Sequence, residues 1–254
     1  MNTHISYIID EYRNAKVKRE LMMPFGIKEI DDAIQGFGSG ELITLLGDTG
    51  SGKTSMTVRM VDSLSVVRQI PSLYLCVRNT PKDIVRRLVD YRCASKKEKE
   101  EDVLAEMSKA PIYLYSSVEM NVDDVCDVCR KHVEDYGVKV VFVHFMYIRS
   151  GMENAYKLRA LAKELGVTIV VLENIFEARD GIDGVLPNMR DLYDSRLGEY
   201  SDTVIALCNY SLYKVFRDER GLDLSGLLHV SILKCHGKSD NRSFYIKKEY
   251  VQMS

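Results

Sequence analysis

Residues 47–54 read GDTGSGKT, a glycine-rich run that ends in Lys53 and Thr54. The spacing fits G-x-x-x-x-G-K-[ST], the pattern of a phosphate-binding loop. The chemistry requires these residue types. Gly47, Gly50 and Gly52 let the backbone turn, so that N–H groups along Gly47, Asp48, Thr49, Gly50, Ser51 and Gly52 point at a phosphate chain. The start of the following helix adds partial positive charge. Lys53 can reach β- and γ-phosphates, and Thr54 can hold Mg²⁺ through its hydroxyl.

Such a loop works only between a strand and a helix, and both are predicted. Leu42–Leu46 is an apolar run before it, and Ser55–Val67 reads as a helix after it. Further short β-rich runs lie at Leu73–Val77, Ile112–Tyr115, Val138–Phe145, Thr168–Leu172 and Thr203–Cys208. Helical patterns lie between the early ones, at 81–93, 101–109, 121–136 and 153–165. Strands alternating with helices predict an α/β fold with a mainly parallel sheet covered on both faces. Leu227–Lys234 and Ser243–Ile246, with Gly237–Asn241 between them, predict an antiparallel hairpin that closes the sheet. Residues 3–19 read as a helix that Pro24 and Gly26 break, and Phe176–Asn188 as a long loop without periodicity.

Composition bounds the rest. The chain has 254 residues, of which 46% are apolar and 28% charged, as expected of a globular α/β domain. A net charge of −2 means that any nucleic-acid contact comes from a local patch or from a ring of several subunits. No apolar run has the length of a membrane span, and MNTHISYIIDEY lacks the pattern of a signal peptide, so the expected location is cytoplasmic. Cys126 and Cys129, followed by His132, have a metal-like spacing, but no second Cys-x-x-Cys completes a zinc site. The segment VDDVCDVCRKHVEDY is better read as an amphipathic helix, with Val122, Val125, Cys129, Val133 and Tyr136 near one face.

These landmarks resemble the RecA-like ATPase domain, the C-terminal domain, of the DnaB-type replicative helicases. The resemblance covers nearly the whole chain. FGIKEIDDAIQGFGSGELITLLGDTGSGKT resembles the family's approach to its phosphate loop, and PSLYLCVRNTPKDIVRRLV its second strand and helix. YKLRALAKELGVTIVVLEN resembles the helix and sensor strand. LPNMRDLYDSRLGEYSDTVIALCNY and ILKCHGKSDNRSF resemble the last strands. The resemblance implies a RecA-like P-loop NTPase domain over residues 21–254. It also implies a linker-like helix over residues 1–20, which in family rings packs on the neighbouring subunit. ATP and Mg²⁺ are the implied ligands.

The catalytic positions depart from the family pattern. A Glu that polarises the attacking water falls at Arg78, and the Walker B Asp falls at His144. The sensor Gln falls at Asn174, and the trans-acting Lys and Arg fall at Lys234 and His236. Arg78 reads either as a clamp on the γ-phosphate or as a cation facing solvent or an interface. His144 reads as a buried neutral imidazole. Glu173, one residue before Asn174, reads either as a relocated carboxylate base or as a surface acid at a strand end. Loops near Arg149–Asn154 and Arg179–Arg190 are the resemblance's candidates for following single-stranded DNA, with Arg149, Arg179 and Arg190 as the cations. Asp180, Asp183 and Glu153 in the same loops oppose an anion.

An arginine finger contributes about 10³–10⁵ in rate and an oriented base about 10²–10⁴. The expectation is therefore an ATP-binding protein of DNA replication with slow or no hydrolysis. It would work as a ring-forming homo-oligomer or as an accessory subunit beside a replicative helicase. The alternative is an active ATP-dependent helicase translocating on single-stranded DNA.

Overall fold

The computed structural model describes residues 5–6, 9, 22–76, 80–144, 153–175 and 186–248. The predicted linker helix over 1–20 lies outside these residues except at Ile5, Ser6 and Ile9.

Among the described residues, nine strands form one sheet. They are β1 (Leu42–Gly47), β2 (Ser72–Cys76), β3 (Ile112–Ser116), β4 (Val140–His144), β5 (Thr168–Asn174), β6 (Thr203–Cys208), β7 (Leu227–Cys235), β8 (Lys238–Ser239) and β9 (Ser243–Lys247). The order is β3-β2-β4-β5-β1-β6-β7, with β8 and β9 both paired to β7. Neighbours from β3 to β6 are parallel, and β7 pairs antiparallel with β6, β8 and β9. The parallel sheet and its C-terminal antiparallel hairpin are thus as the sequence predicts. β1, β2, β4 and β6 are buried along their whole length, which is why they read as unbroken apolar runs.

The helices are α1 (Lys28–Ile34), α2 (Lys53–Val61), α3 (Pro81–Lys96), α4 (Glu100–Met107), α5 (Val122–Tyr136), α6 (Glu153–Leu165) and the single turn α7 (Leu197–Tyr200). Two apolar cores sandwich the sheet. One joins Ile30 and Ile34 of α1, Met56 and Val61 of α2 and Leu88 of α3 to Ile43, Leu45 and Phe142. The other joins Val125 and Cys129 of α5 and Leu158 and Leu161 of α6 to Leu42, Leu46 and Val143. Val122, Val125, Cys126 and Cys129 form the buried part of α5, whereas Tyr136 is half exposed and stacks on Tyr113 at 4.3 Å. Burial pushes the Cys129 thiol up to about 12 and raises that of Cys126. Among the described residues no helix is long and apolar enough to cross a membrane.

Two local structures differ from the sequence reading. α1 is not predicted, because Ile27 at its N-cap offers no capping side chain. Asp31 instead ties the incoming chain to the helix, accepting from the N–H groups of Phe25 at 2.5 Å and Gly26 at 2.9 Å, both ahead of the N-cap. The predicted helix 55–67 is α-helical only to Val61 and then widens into a π-helical turn over Asp62–Val67. That turn carries a buried acid. Asp62 accepts from Arg92 at 2.8 Å, and Arg92, 1% exposed, also meets Glu98 and Glu106. Removing one partner of a buried ion pair strands the other. Arg92→Ala is therefore expected to lower stability by about 3–5 kcal/mol, read as a lower midpoint in urea unfolding.

Candidate nucleotide-binding site

β1 lies between β5 and β6, and its C-terminal end delivers the glycine loop. Ligands of open α/β sheets bind at this edge, where strand order reverses. Gly47 has no room for a side chain. An added Cβ would sit 2.5 Å from the Leu207 carbonyl oxygen and 2.5 Å from Ser51 Oγ. Gly52 caps α2 at a φ of 97°, a conformation that other residues rarely adopt. Lys53 is buried, and its Nζ donates to the carbonyls of Gly47 at 2.6 Å and Asp48 at 2.8 Å. The amine is thus anchored inside the loop whose amides would meet a phosphate. Thr54 follows in the first turn of α2, half-buried. The cradle, the lysine and the helix start fit a phosphate chain, and the Thr54 hydroxyl fits a Mg²⁺ ligand.

Side chains alternate across a strand, so register assigns each strand-end residue to a face. Gly47 pairs with Asn174 of β5 and Leu207 of β6. Leu207 belongs to the core on the α2 side, so Asn174 lies on that face too. His144 lies on the same face, in alternation with Phe142 and with its ring 6.4 Å from that of Tyr74. Tyr74 in turn lies 3.1 Å from Thr57 Oγ1 on α2, and burial raises its phenol pKa. Glu173 pairs with Leu46, which belongs to the opposite core beside α5 and α6. Glu173 is buried, not a surface acid, and its register assigns it to the face away from α2. Among the described residues, the ends of β2, β4, β5 and β6 carry no carboxylate on the α2 face: Cys76, His144, Asn174 and Leu207 stand there. Arg78 lies outside the described residues.

Lys234 and His236 sit at the other edge of the sheet. Lys234 pairs with Val204 at the start of β6, whereas the loop follows the end of β1. Lys234 Nζ donates to the carbonyls of Gly198 at 3.1 Å and Glu199 at 3.0 Å, and burial lowers its pKa. The His236 ring lies 2.8 Å from the Ile34 carbonyl through Nε2 and 3.5 Å from Glu41 through Nδ1. Neither residue meets the loop of its own chain. Of the candidate DNA-contacting cations, Arg149 and Arg179 lie outside the described residues, and Arg190 is exposed beside Asp191 in a 3₁₀ turn that Asn188 caps.

Sequence reasoning did not find the turn that walls the loop. After β6 the chain makes a 3₁₀ turn over Tyr210–Tyr213. Asn209 Nδ2 donates to the Gly50 carbonyl at 3.4 Å, and the Tyr213 hydroxyl donates to the Asp48 carboxylate. Tyr210 meets His229 Nδ1 of β7 at 2.8 Å, and Lys248 donates to Ser211 Oγ at 2.7 Å. The phosphate-loop motif was the only local signal nearby.

A mainly parallel sheet with a phosphate loop at the end of its central strand and an antiparallel C-terminal hairpin defines a RecA-like P-loop NTPase domain. The particular family is shown by comparison. The family described as DnaB-like helicase C terminal domain matches residues 23–253, and the chain belongs to it. The chain is 21% identical over 237 residues to the replicative DNA helicase DnaB of Leifsonia xyli, covering 83% of this chain and 52% of that one. It is 22% identical over 209 residues to a probable plasmid replicative DNA helicase of Chlamydia trachomatis, covering 73% and 46%. The chain thus spans about half the length of the curated relatives it matches. Among solved structures, the fold is similar to one described as the ATPase domain of G40P, with a TM-score of 0.81 at 14% identity over 99% of this chain and 98% of that one. A DnaB-like replicative helicase studied with primase gives a TM-score of 0.75 at 16% identity, covering 98% of this chain and 66% of that one.

Two outcomes follow from the site's packing. Gly47→Ala forces a Cβ against a backbone carbonyl and is expected to cost about 1–3 kcal/mol of stability, read in denaturant. Gly226→Ala, with nothing within 4 Å of its new Cβ, is the control. The second concerns His229, whose pKa burial lowers in the folded chain. The folded protein resists a proton that the unfolded chain accepts below about pH 6.5. The stability contributed by neutral His229 is present above that pH and lost as pH falls. The melting temperature is expected to drop from about pH 7 to about pH 5, and to drop less in His229→Gln.

Proposed function

We propose that this chain binds Mg–ATP at Gly47–Thr54 and turns it over slowly, serving DNA replication as a ring-forming subunit or as an accessory to an active helicase. One observation carries the reading. The strand ends facing the loop present His144 and Asn174 on the α2 side, while Glu173 belongs to the opposite face by register. A base must lie within about 3 Å of its water. An amide and an imidazole leave the attacking water without a carboxylate from those strand ends. Binding rests on other groups: the loop amides, Lys53 and the start of α2. Mg²⁺, held by the Thr54 hydroxyl, would neutralise phosphate charge.

The trans positions support the same reading. Lys234 and His236 are engaged with carbonyls of their own chain, and His236 stands where an arginine finger would act. An active motor translocating on single-stranded DNA is the second reading. It is favoured by the placement of Lys234 at the edge far from its own loop, where only another subunit's nucleotide could meet it.

The test measures ATP affinity and ATP turnover, with and without single-stranded DNA, for the wild type and Lys53→Ala. Saturable ATP binding lost in Lys53→Ala is expected, with turnover lower than that of an active family member by about 10²–10⁴. Turnover that single-stranded DNA stimulates and Lys53→Ala abolishes would replace this reading with the motor.

A further inference from the structure

Asp48 is an acid inside a loop built to hold an anion. Its main chain belongs to the cradle, since Lys53 Nζ donates to its carbonyl. A carboxylate so close to a phosphate chain repels it, unless something fixes the carboxylate elsewhere. A tyrosine does so. The Tyr213 hydroxyl donates to the Asp48 carboxylate across 165 residues of sequence. The tyrosine is itself held, because it packs against Cys208, Tyr210 and Leu224. Its turn is pinned by Asn209 to Gly50, by Tyr210 to His229 and by Ser211 to Lys248. Leu212 closes the same side, lying 3.3 Å from where a Cβ on Gly50 would be.

We propose that Tyr213 is a positioning residue for nucleotide binding: its phenol holds the Asp48 carboxylate against the Tyr210–Tyr213 turn and away from the phosphates. The assignment rests on the nucleotide-binding reading above. Tyr213 takes no part in bond making. It sets the direction of one negative charge, so its effect grows with the charge of the ligand.

The test is calorimetric titration of the full chain with ATP and with ADP. Wild type, Tyr213→Phe, Asp48→Asn and the double variant are compared, with thermal melts to confirm folding. Tyr213→Phe is expected to weaken ATP about fivefold and ADP less, with the loss shrinking as salt is added. Asp48→Asn is expected to bind ATP more tightly than wild type, and the double variant to match Asp48→Asn alone. The proposal is overturned if Tyr213→Phe leaves ATP affinity unchanged, or if it costs the same with Asn at position 48. Should Tyr213→Phe fail to fold, Asp48→Asn decides alone, and weaker ATP binding there overturns the proposal. A wild type that binds no ATP, or binds it equally in Lys53→Ala, removes the nucleotide reading and this one with it.

Discussion

The carbonyl of Gly47 accepts from Lys53 Nζ at 2.6 Å and from the Ile175 N–H at 3.3 Å, while the Leu207 carbonyl occupies the space where a side chain would stand. Three strands and the loop meet at this one residue without a Cβ. β5 continues its ladder past the end of β1 through Ile175, and β6 closes against the other side. The lysine is then folded over the same carbonyl. A methyl group here would part β6 from β1 and move the loop, because backbone carbonyls on a packed sheet cannot rotate aside as side chains do. The glycine loop is anchored to the sheet, and the sheet keeps this register because both its faces are buried.

Register also determines the chemistry of the neighbouring strand ends. Parity along β5 assigns Asn174 to the loop's helix and Glu173 to the other core, one residue apart. Parity along β4 assigns His144 to the same side as Asn174. A shift of one residue in β5 would exchange amide for carboxylate. In the proposed reading the sheet keeps phosphate binding and water activation on different groups. The groups proposed to grip phosphate are on the loop and α2, and the neighbouring strand ends carry an imidazole and an amide, but no carboxylate, on that face.

Much of this architecture is legible in the order of the amino acids. The buried strands are unbroken apolar runs, GDTGSGKT has a pattern with a mechanism, and Leu227–Ile246 reads as a hairpin around Gly237. Other parts are not legible, for physical reasons. α1 starts without a capping side chain at Ile27, and Asp31 fastens it to the incoming Phe25 and Gly26 backbone instead. The π-helical turn after Val61 holds Asp62 against Arg92, a contact across 30 residues that leaves no local pattern. β5 reads TIVVLEN, apolar on both faces, so its sequence cannot say which face its last residues take, and only pairing with β1 does. Glu173 reads as a strand-tip acid for that reason. The turn over Tyr210–Tyr213 reaches the loop through long-range contacts, which leave no local pattern.

The two sheet edges place different demands on an assembly. The loop and its anchored lysine come from one chain, so the proposed nucleotide site draws its loop from a single copy. In the proposed ring, Lys234 and His236, at the far edge, would have to reach outward to another subunit. To do so they must leave carbonyls of their own chain, each such hydrogen bond being worth about 0.5–1.5 kcal/mol net and more where the donor is charged. A guanidinium on a long stem could keep one such bond and still reach outward with its remaining donors. The imidazole of His236 has two nitrogens, one facing the Ile34 carbonyl and the other facing Glu41, and none is left over for a phosphate. Position 236 therefore fastens the end of β7 to α1 and to the start of β1 and is committed to its own fold.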